Sequence, residues 1–481
     1  MCGITCIFGQ VTNPLGSLVH RGPDDTRCVT NGKCTMIFDR LAINDMSDNG
    51  MQPFESGNES LICNGEIFNH KELSLNSHSR SDCACLIPLI QTHGIFKASQ
   101  MLRGEFAICW TDGDRVMATR DPFGVRPMFY TRYAADSIAF ASEAKALTGF
   151  KTKIEIFPPG HIYDSYCDTF ECYYSCYWDQ KNPLDADIGK IKALLEEAVN
   201  IRIENADRPI GFFLSGGLDS SLIAAIANKQ LLATGVRIKT FSIGAPDSAD
   251  LKAAKKVADF LCSDHTEVHF DINQGLNDVE PVIMSIESYD TTTVRASVPM
   301  WRLARWVSEN TDVKVIISGE GSDELFGGYL YFHYAPNVEA FSKENMRRLK
   351  LIHQFDGLRA DRCIAAHGLE ARVPFLDIKL VDYVMKMNQG VKMIKYGMIE
   401  KWVLRKAFEG YLPDDILWRQ KDGMSDAVGY SWVDHLKTTG EKYEDIFDAH
   451  YPNMRHLISE KWMPKWVNVG DPSARSLKVK D

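Results

Sequence analysis

A chain of 481 residues is too long for one ordinary core, and at roughly 150 residues per domain it calls for two or three. Its 45% hydrophobic and 25% charged residues are those of a soluble globular protein, and no apolar run approaches the roughly 20 residues of a bilayer crossing. A formal net charge of -10 argues against a broad nucleic-acid surface, so basic runs such as Arg347, Arg348 and Lys350 read as a solvated helix face.

Short alternating segments at 2–9, 33–38, 60–63 and 105–110, separated by Gly, Asn, Asp and Pro, predict strands and turns. After the aromatic and proline-bearing stretch 173–183 the pattern changes. It predicts an amphipathic helix over 188–205, a buried strand over 210–214, a helix over 221–232 and a strand over 237–243. Alternating strand and helix implies a parallel sheet. The domain boundary is therefore set near residue 180, giving domains 1–180 and 181–481, and the stretch beyond about 440 carries little signal. Thirteen cysteines with no preceding signal peptide point to reduced thiols and a cytoplasmic setting. Cys83, Cys85, Cys167, Cys172 and Cys176 lack the partners of a tetrahedral metal set and read as structural.

Cys2 directly follows Met1, and its small side chain permits removal of the methionine. A free α-amine, with a reference pKa of about 8, then serves as the base for its own thiol. A cysteine at position 2 is usually incidental. Four downstream motifs raise its weight: His20-Arg21-Gly22-Pro23-Asp24, then Arg40-Leu41-Ala42-Ile43, Asn64-Gly65-Glu66 and Ser81-Asp82. A tetrahedral intermediate at an amide carbon needs donors aimed at its oxyanion, and Asn64 with the Gly65 amide fits. Arg40 suits an amino-acid carboxylate, and Glu66 with Asp82 suits its ammonium.

On these motifs the N-terminal region resembles the class II glutamine amidotransferases of the Ntn-hydrolase type, with further matches at 120–124, 142–145 and 158–161. The resemblance implies a four-layer α/β/β/α sandwich, Cys2 as nucleophile, and Arg40, Leu41, Ala42, Ile43, Asn44, Asn64, Gly65, Glu66 and Asp82 around glutamine. Two departures stand out: the stretch between Asn69 and Ser81 is shorter than the family norm, and Ala84 replaces a common acid.

Ser215-Gly216-Gly217-Leu218-Asp219-Ser220-Ser221 lies between a predicted buried strand and a helix, where amides and the helix dipole can hold phosphate. No Gly-Lys-Ser is present there, so the loop is not a Walker cradle, and it resembles the pyrophosphate loop of N-type ATP pyrophosphatases. A second predicted strand, 313–317, ends in Ser318-Gly319-Glu320-Gly321-Ser322-Asp323-Glu324. Asp219 and Asp323 are then natural Mg2+ ligands, since magnesium takes one or two carboxylates plus phosphate oxygens.

Segments 287–300, 368–377 and 418–432 resemble asparagine synthetases, and the likeness spans residue 2 to about 435. It implies ATP contacts from Leu214, Ser215, Gly216, Gly217, Asp219, Ser220, Ser221, Ile243, Ser318 and Gly319, and aspartate contacts from Thr292, Thr293 and Arg295. Lys421 would face the pentavalent phosphorus or the tetrahedral carbon, and Glu320 would help form β-aspartyl-AMP or take a proton from ammonia. The expected protein is thus α/β, an Ntn-hydrolase αββα sandwich followed by a parallel-sheet PP-loop domain. Its substrates would be glutamine, aspartate and ATP with Mg2+, and ammonia would cross an internal passage. No nucleic-acid or membrane partner is expected, and a homodimer is compatible with the resemblance. Three rivals stay open: a related amidotransferase acting on another carboxylate, a regulatory protein with decayed sites, and an ammonia-only synthetase.

Overall fold

The protein, seen in a computed structural model, is described over residues 1–10, 15–73, 79–246, 248–394, 398–421, 429, 432–438, 440, 442–458, 460–471 and 477. Two six-stranded antiparallel sheets build its first part. The first sheet carries β1 (Gly3–Phe8) beside β2 (Cys34–Arg40), and the second carries β3 (Glu59–Ile67) beside β4 (Gly104–Thr111). Period-two alternation decides what each face buries. Ile62, Ala107 and Cys109 meet Ile4, Cys6, Met36 and Phe38 between the sheets. Their neighbours Leu61, Cys63, Phe106, Ile108 and Trp110 turn outward onto α1 (Leu86–Met101). The outer face of the first sheet, including Ile7, Ala139 and Ala141, is covered by the turn Ala144–Phe150 and joins one core with the later helix Val279–Ile286. One outer layer of the sandwich is therefore completed by the second half of the chain.

The second part begins with α2 (Ile188–Glu204), capped by the Asp187 carboxylate, which accepts from the Lys190 amide. Its Ile191, Leu195, Ala198, Val199 and Arg202 are buried, the spacing of one helical face. Next comes a five-stranded parallel sheet, made of β5 (Ile210–Phe213), β6 (Lys239–Gly244), β7 (Asp264–His269), β8 (Val315–Ile317) and β9 (Glu370–Arg372). Their order is β7-β6-β5-β8-β9. The connection changes direction between β5 and β8, which opens a crevice at the carboxyl ends of those two strands. Between them in sequence lie α3 (Leu218–Leu232) and α4 (Thr291–Asn310), and α5 (Asp356–Ala365) precedes β9. The helix expected from residue 221 starts at Leu218, because Gly217 is its N-cap and Asp219 and Ser220 form its first turn. Among the described residues no helix is long and apolar enough to cross a membrane.

Charged side chains seam the two parts together. Arg103 and Arg202 both reach Asp377, at 2.9 and 3.1 Å, and Arg202 and Arg126 reach Glu105 at 2.9 and 3.2 Å. Arg21 pairs with Asp361 at 2.8 Å, and Arg372 pairs with Glu66 at 2.9 Å. All of these are buried. Burial pushes the Asp377 carboxyl up, but Arg202 and Arg103 outweigh it and hold the group below the usual carboxylate range. Its contribution to stability is complete above the unfolded value of about 4 and is lost as pH falls through the lower folded value. Asp377→Ala removes a carboxylate shared by two buried guanidinium groups, leaving Arg202 to Glu105 and Arg103 to Glu197, and is expected to cost about 3 kcal/mol, read as a lower urea midpoint at neutral pH. A loss below about 0.5 kcal/mol, the size of an ordinary surface substitution, would contradict the importance given to the seam.

Candidate functional sites

Cys2 enters β1 between the two sheets, with its Sγ accepting from the Leu41 N–H at 3.4 Å and facing the Leu41 carbonyl at 3.6 Å. The Arg21 Nε holds the Cys2 carbonyl at 3.0 Å, and the Asp24 carboxylate accepts from the Ala42 amide at 2.8 Å. The His-Arg-Gly-Pro-Asp loop thus fixes both the thiol and the Arg40–Asn44 backbone opposite it. With Met1 in place the amine is fully buried, donates to the Leu369 carbonyl at 3.0 Å, and burial pushes its pKa down to about 5. Burial likewise pushes the Cys2 thiol up to about 12, so in this form the thiol is neutral at pH 7.

Asn64 sits fully buried on β3, its Nδ2 3.5 Å from the Ser142 hydroxyl and its Oδ1 without a partner among the described residues. Gly65 must lack a side chain, because a Cβ there would stand 2.1 Å from the Glu105 carbonyl. Glu66 and Asp82 stand together at one corner: the Asn44 Nδ2 donates to Glu66 at 2.7 Å and to Asp82 at 3.3 Å, and Asp82 accepts from the Ile67 amide at 2.6 Å. Burial, with Asp82 and Glu370 nearby, raises the Glu66 carboxyl against the opposing pull of Arg372. Arg40 is turned differently. Its guanidinium donates to the carbonyls of Ser47, at 3.0 Å, and Asp45, so it braces the loop beside the site. Leu41 and Ile43 are core residues; Leu41 meets the Cys2 thiol through its backbone, and the Ile43 carbonyl accepts from the Asp207 amide at 3.2 Å.

The second site is a 390 Å³ cavity at the carboxyl ends of β5 and β8. Gly216 adopts φ +71° and would drive a Cβ to 2.5 Å from Ala253 Cβ and the Ala254 nitrogen, which fixes glycine at this turn. The Ser215 hydroxyl contacts the Ser220 hydroxyl at 3.1 Å and accepts from the Gly217 amide at 3.3 Å, so the loop holds its own shape. A Cβ on Gly319 would lie 2.9 Å from Asp219, which shows how closely the two glycine-bearing loops approach.

Of the residues implied by resemblance, Leu214, Ser215, Gly217, Asp219, Ser220, Ile243, Ser318 and Gly319 line the cavity, as do Thr292, Glu320, Asp323 and Lys421. Gly216, Ser221, Thr293 and Arg295 do not. Ser221 lies fully buried inside α3. Thr292, Ala296, Met300 and Leu303 form the cavity face of α4, at helical spacing. Thr293 and Arg295 therefore point elsewhere: the Thr293 hydroxyl donates to the cap Asp290 at 2.8 Å, and Arg295 pairs with Asp471 at 2.9 Å. Of the segment 418–432, residues 422–428, 430 and 431 lie outside the described set, as do 74–78 of the shortened stretch before Ser81.

Lys401 belongs to none of these motifs, yet it stands between the two aspartates of the site. Its buried Nζ lies 2.5 Å from both Asp219 and Asp323, and Lys421 also pairs with Asp323. Burial pushes the Asp323 carboxyl up, yet Lys401 and Lys421 hold it below its usual range. Burial opposes the charge of Lys421, but Asp323 and Asp219 raise its pKa well above the usual value. Two carboxylates facing an open cavity, with no larger cluster of metal-ligating side chains among the described residues, form a hard oxygen set that suits Mg2+ bound together with phosphate. At the other end Arg359 holds Glu320 at 2.7 Å and Asp356 at 2.7 Å, and the Tyr329 hydroxyl donates to Asp356 at 3.0 Å. Burial is the main cause that raises the Glu320 carboxyl. Arg359, Asp356 and Tyr329 carried no motif signal, since only the fold brings them to the Ser318 loop.

Lys401→Met removes the cation shared by Asp219 and Asp323. Its expected effect is at least about a tenfold loss of affinity for magnesium pyrophosphate by titration calorimetry, the equivalent of about 1.4 kcal/mol. Unchanged affinity would show that Lys401 does not face the phosphates.

The sequence profile described as glutamine amidotransferase domain matches residues 1–165, and that described as asparagine synthase matches 190–347 and 335–454. The asparagine synthetase [glutamine-hydrolyzing] of Asparagus officinalis is 41% identical over 478 residues, covering 92% of this chain and 80% of that protein. A probable asparagine synthetase [glutamine-hydrolyzing] of Acanthamoeba polyphaga mimivirus is 38% identical over 553 residues, covering 100% of both. Asparagine synthetase [glutamine-hydrolyzing] 3 of Arabidopsis thaliana is 41% identical, covering 92% of this chain and 82% of that protein. With both profiles matched and similarity of this extent over nearly the whole chain, the chain belongs to the glutamine-hydrolysing asparagine synthetase family.

Proposed function

We propose that the chain cuts the side-chain amide of glutamine in domain 1–180 and uses the ammonia, with ATP, to convert aspartate into asparagine in domain 181–481. The carrying observation is the cavity lined by both glycine-bearing loops, with Asp219 and Asp323 drawn onto one lysine. It is supported by a thiol fixed against the Leu41 amide at the other end of the chain.

In the first half-reaction, loss of Met1 gives Cys2 its own amine as base, and the thiolate attacks the amide carbon. Asn64 and the Gly65 N–H stabilise the oxyanion, and collapse releases ammonia and leaves a thioester that water clears. Glu66, Asp82 and Asn44 hold the substrate ammonium. Arg40 shapes the carboxylate side from the loop it braces. The Leu41, Ala42 and Ile43 backbone forms the opposite wall.

In the second, Leu214, Ile243, Ser318 and Gly319 seat the nucleotide, and the amides of 215–220 with the start of α3 hold its phosphates. Asp219 and Asp323 would hold Mg2+, which when bound neutralises phosphate charge. The aspartate β-carboxylate attacks the α-phosphorus and pyrophosphate leaves, with Lys401 and Lys421 facing the charge that develops. Thr292, the member of its trio that lines the cavity, is assigned to the aspartate. Ammonia then attacks the acyl carbon, AMP leaves, and Glu320, whose carboxyl burial raises above its ordinary range, takes the proton. Thirteen free thiols favour a reducing, cytoplasmic setting.

The test is Cys2→Ala with either nitrogen donor. Glutamine-supported asparagine formation should fall by about a thousandfold or more, while ammonium chloride still supports synthesis with one AMP and one pyrophosphate per product. Retained glutamine use would remove Cys2 from its role, and ADP in place of AMP would overturn the adenylation.

A further inference from the structure

The segment 460–471 carried no motif, yet it supplies a wall of the synthetase cavity. Trp462 lines that cavity and is 6% exposed. Its ring meets Tyr329 edge-on at 4.9 Å and Tyr331 at 5.4 Å, and the Arg348 guanidinium lies 5.0 Å from its centre. The indole N–H is buried and has no acceptor among the described residues. A fully packed tryptophan that leaves its one donor unsatisfied is retained at some cost in stability, so a role beyond packing is in order.

The segment is also pinned from several sides. Arg347 donates to the carbonyls of Lys461 and Trp462 at 2.8 and 2.9 Å, and Asp471 accepts from Arg295 and Lys437 at 2.9 and 2.7 Å. Met463, Trp466 and Val467 pack on the cluster of Tyr331, Phe332 and Phe341. The position within the cavity is informative. Phe241, Met300 and Leu303 give the cavity an apolar lining that suits a base, and the cluster of two aspartates and two lysines suits phosphate. What remains is the corner of Glu320, Tyr329, Asp356 and Arg359, and Trp462 stands against it.

We propose that Trp462 closes the acid-substrate end of this cavity and keeps water from the acyl adenylate, a role that rests on the synthetase function proposed above. Two nucleophiles compete for the same carbon. Ammonia forms the C–N bond while the C–O bond to phosphate breaks, AMP leaves, and nitrogen gives up a proton. Water forms a C–O bond at that carbon instead, AMP leaves as before, and free aspartate returns with ATP consumed for nothing. An indole wall favours the first outcome by excluding the second nucleophile.

The test measures pyrophosphate and asparagine together in the full chain, with magnesium ATP, aspartate and saturating ammonium chloride, which bypasses Cys2. Trp462→Ala should release severalfold more pyrophosphate per asparagine, while Trp462→Phe, which keeps an aromatic wall, should stay near the parent ratio. If the alanine variant fails to fold by circular dichroism, Trp462→Leu takes its place, and a raised ratio is again expected. A parent-like ratio in the folded alanine or leucine variant, even at reduced rate, would overturn the proposal. A parent chain that releases no aspartate-dependent pyrophosphate would instead overturn the function on which it rests.

Discussion

The buried ion pairs between the two halves of the chain set the terms for everything else. A guanidinium withdrawn from water costs several kcal/mol unless a carboxylate meets it with good geometry. Arg103 and Arg126, from the first half, find Asp377 and Asp361 in the second, and Arg202 and Arg372 find Glu105 and Glu66 in the first. Each half also pairs some of these groups internally, as Arg126 with Glu105 and Arg202 with Asp377, so the charges form one network that crosses the boundary. The sheet sandwich and the parallel sheet are therefore held in one relation, and the Glu66 corner of the first site is itself part of that seam.

Helix α5 shows how short the path between the sites is. Within one helix, Arg359 braces Glu320 of the cavity, and Asp361 braces Arg21, which in turn holds the Cys2 carbonyl. Arg362, next in the same helix, pairs with Glu143 and Glu287 at 2.8 and 2.7 Å, tying the Ser142 turn to the base of α4. Pairing on every side leaves little room for one site to shift without the other.

The parts of the protein that were legible in the sequence are those whose signal is local. The strands β1, β3 and β4, the parallel strands β5, β6 and β8 and the two glycine-bearing loops follow from alternation, apolar runs and turn residues within a short window, whereas β7, half-exposed, and the three-residue β9 carry no such run. The first turn of α3 was missed because its residues belong at once to the phosphate loop and to the helix. A run of matching residues also hides direction: Thr292, Thr293 and Arg295 stand together in sequence, but a helix turns them onto different faces, and only Thr292 reaches the cavity. Lys401, Arg359 and Trp462 had no local signal, because each arrives from a distant segment and acquires its meaning from what it is buried against.

The most direct measurement is mass spectrometry of the asparagine made from amide-15N glutamine, aspartate and magnesium ATP, with the nucleotide products counted in the same sample. The expected result is 15N in the asparagine side-chain amide and one AMP for each labelled molecule. Unlabelled asparagine, or labelled glutamine consumed with no AMP formed, would contradict it.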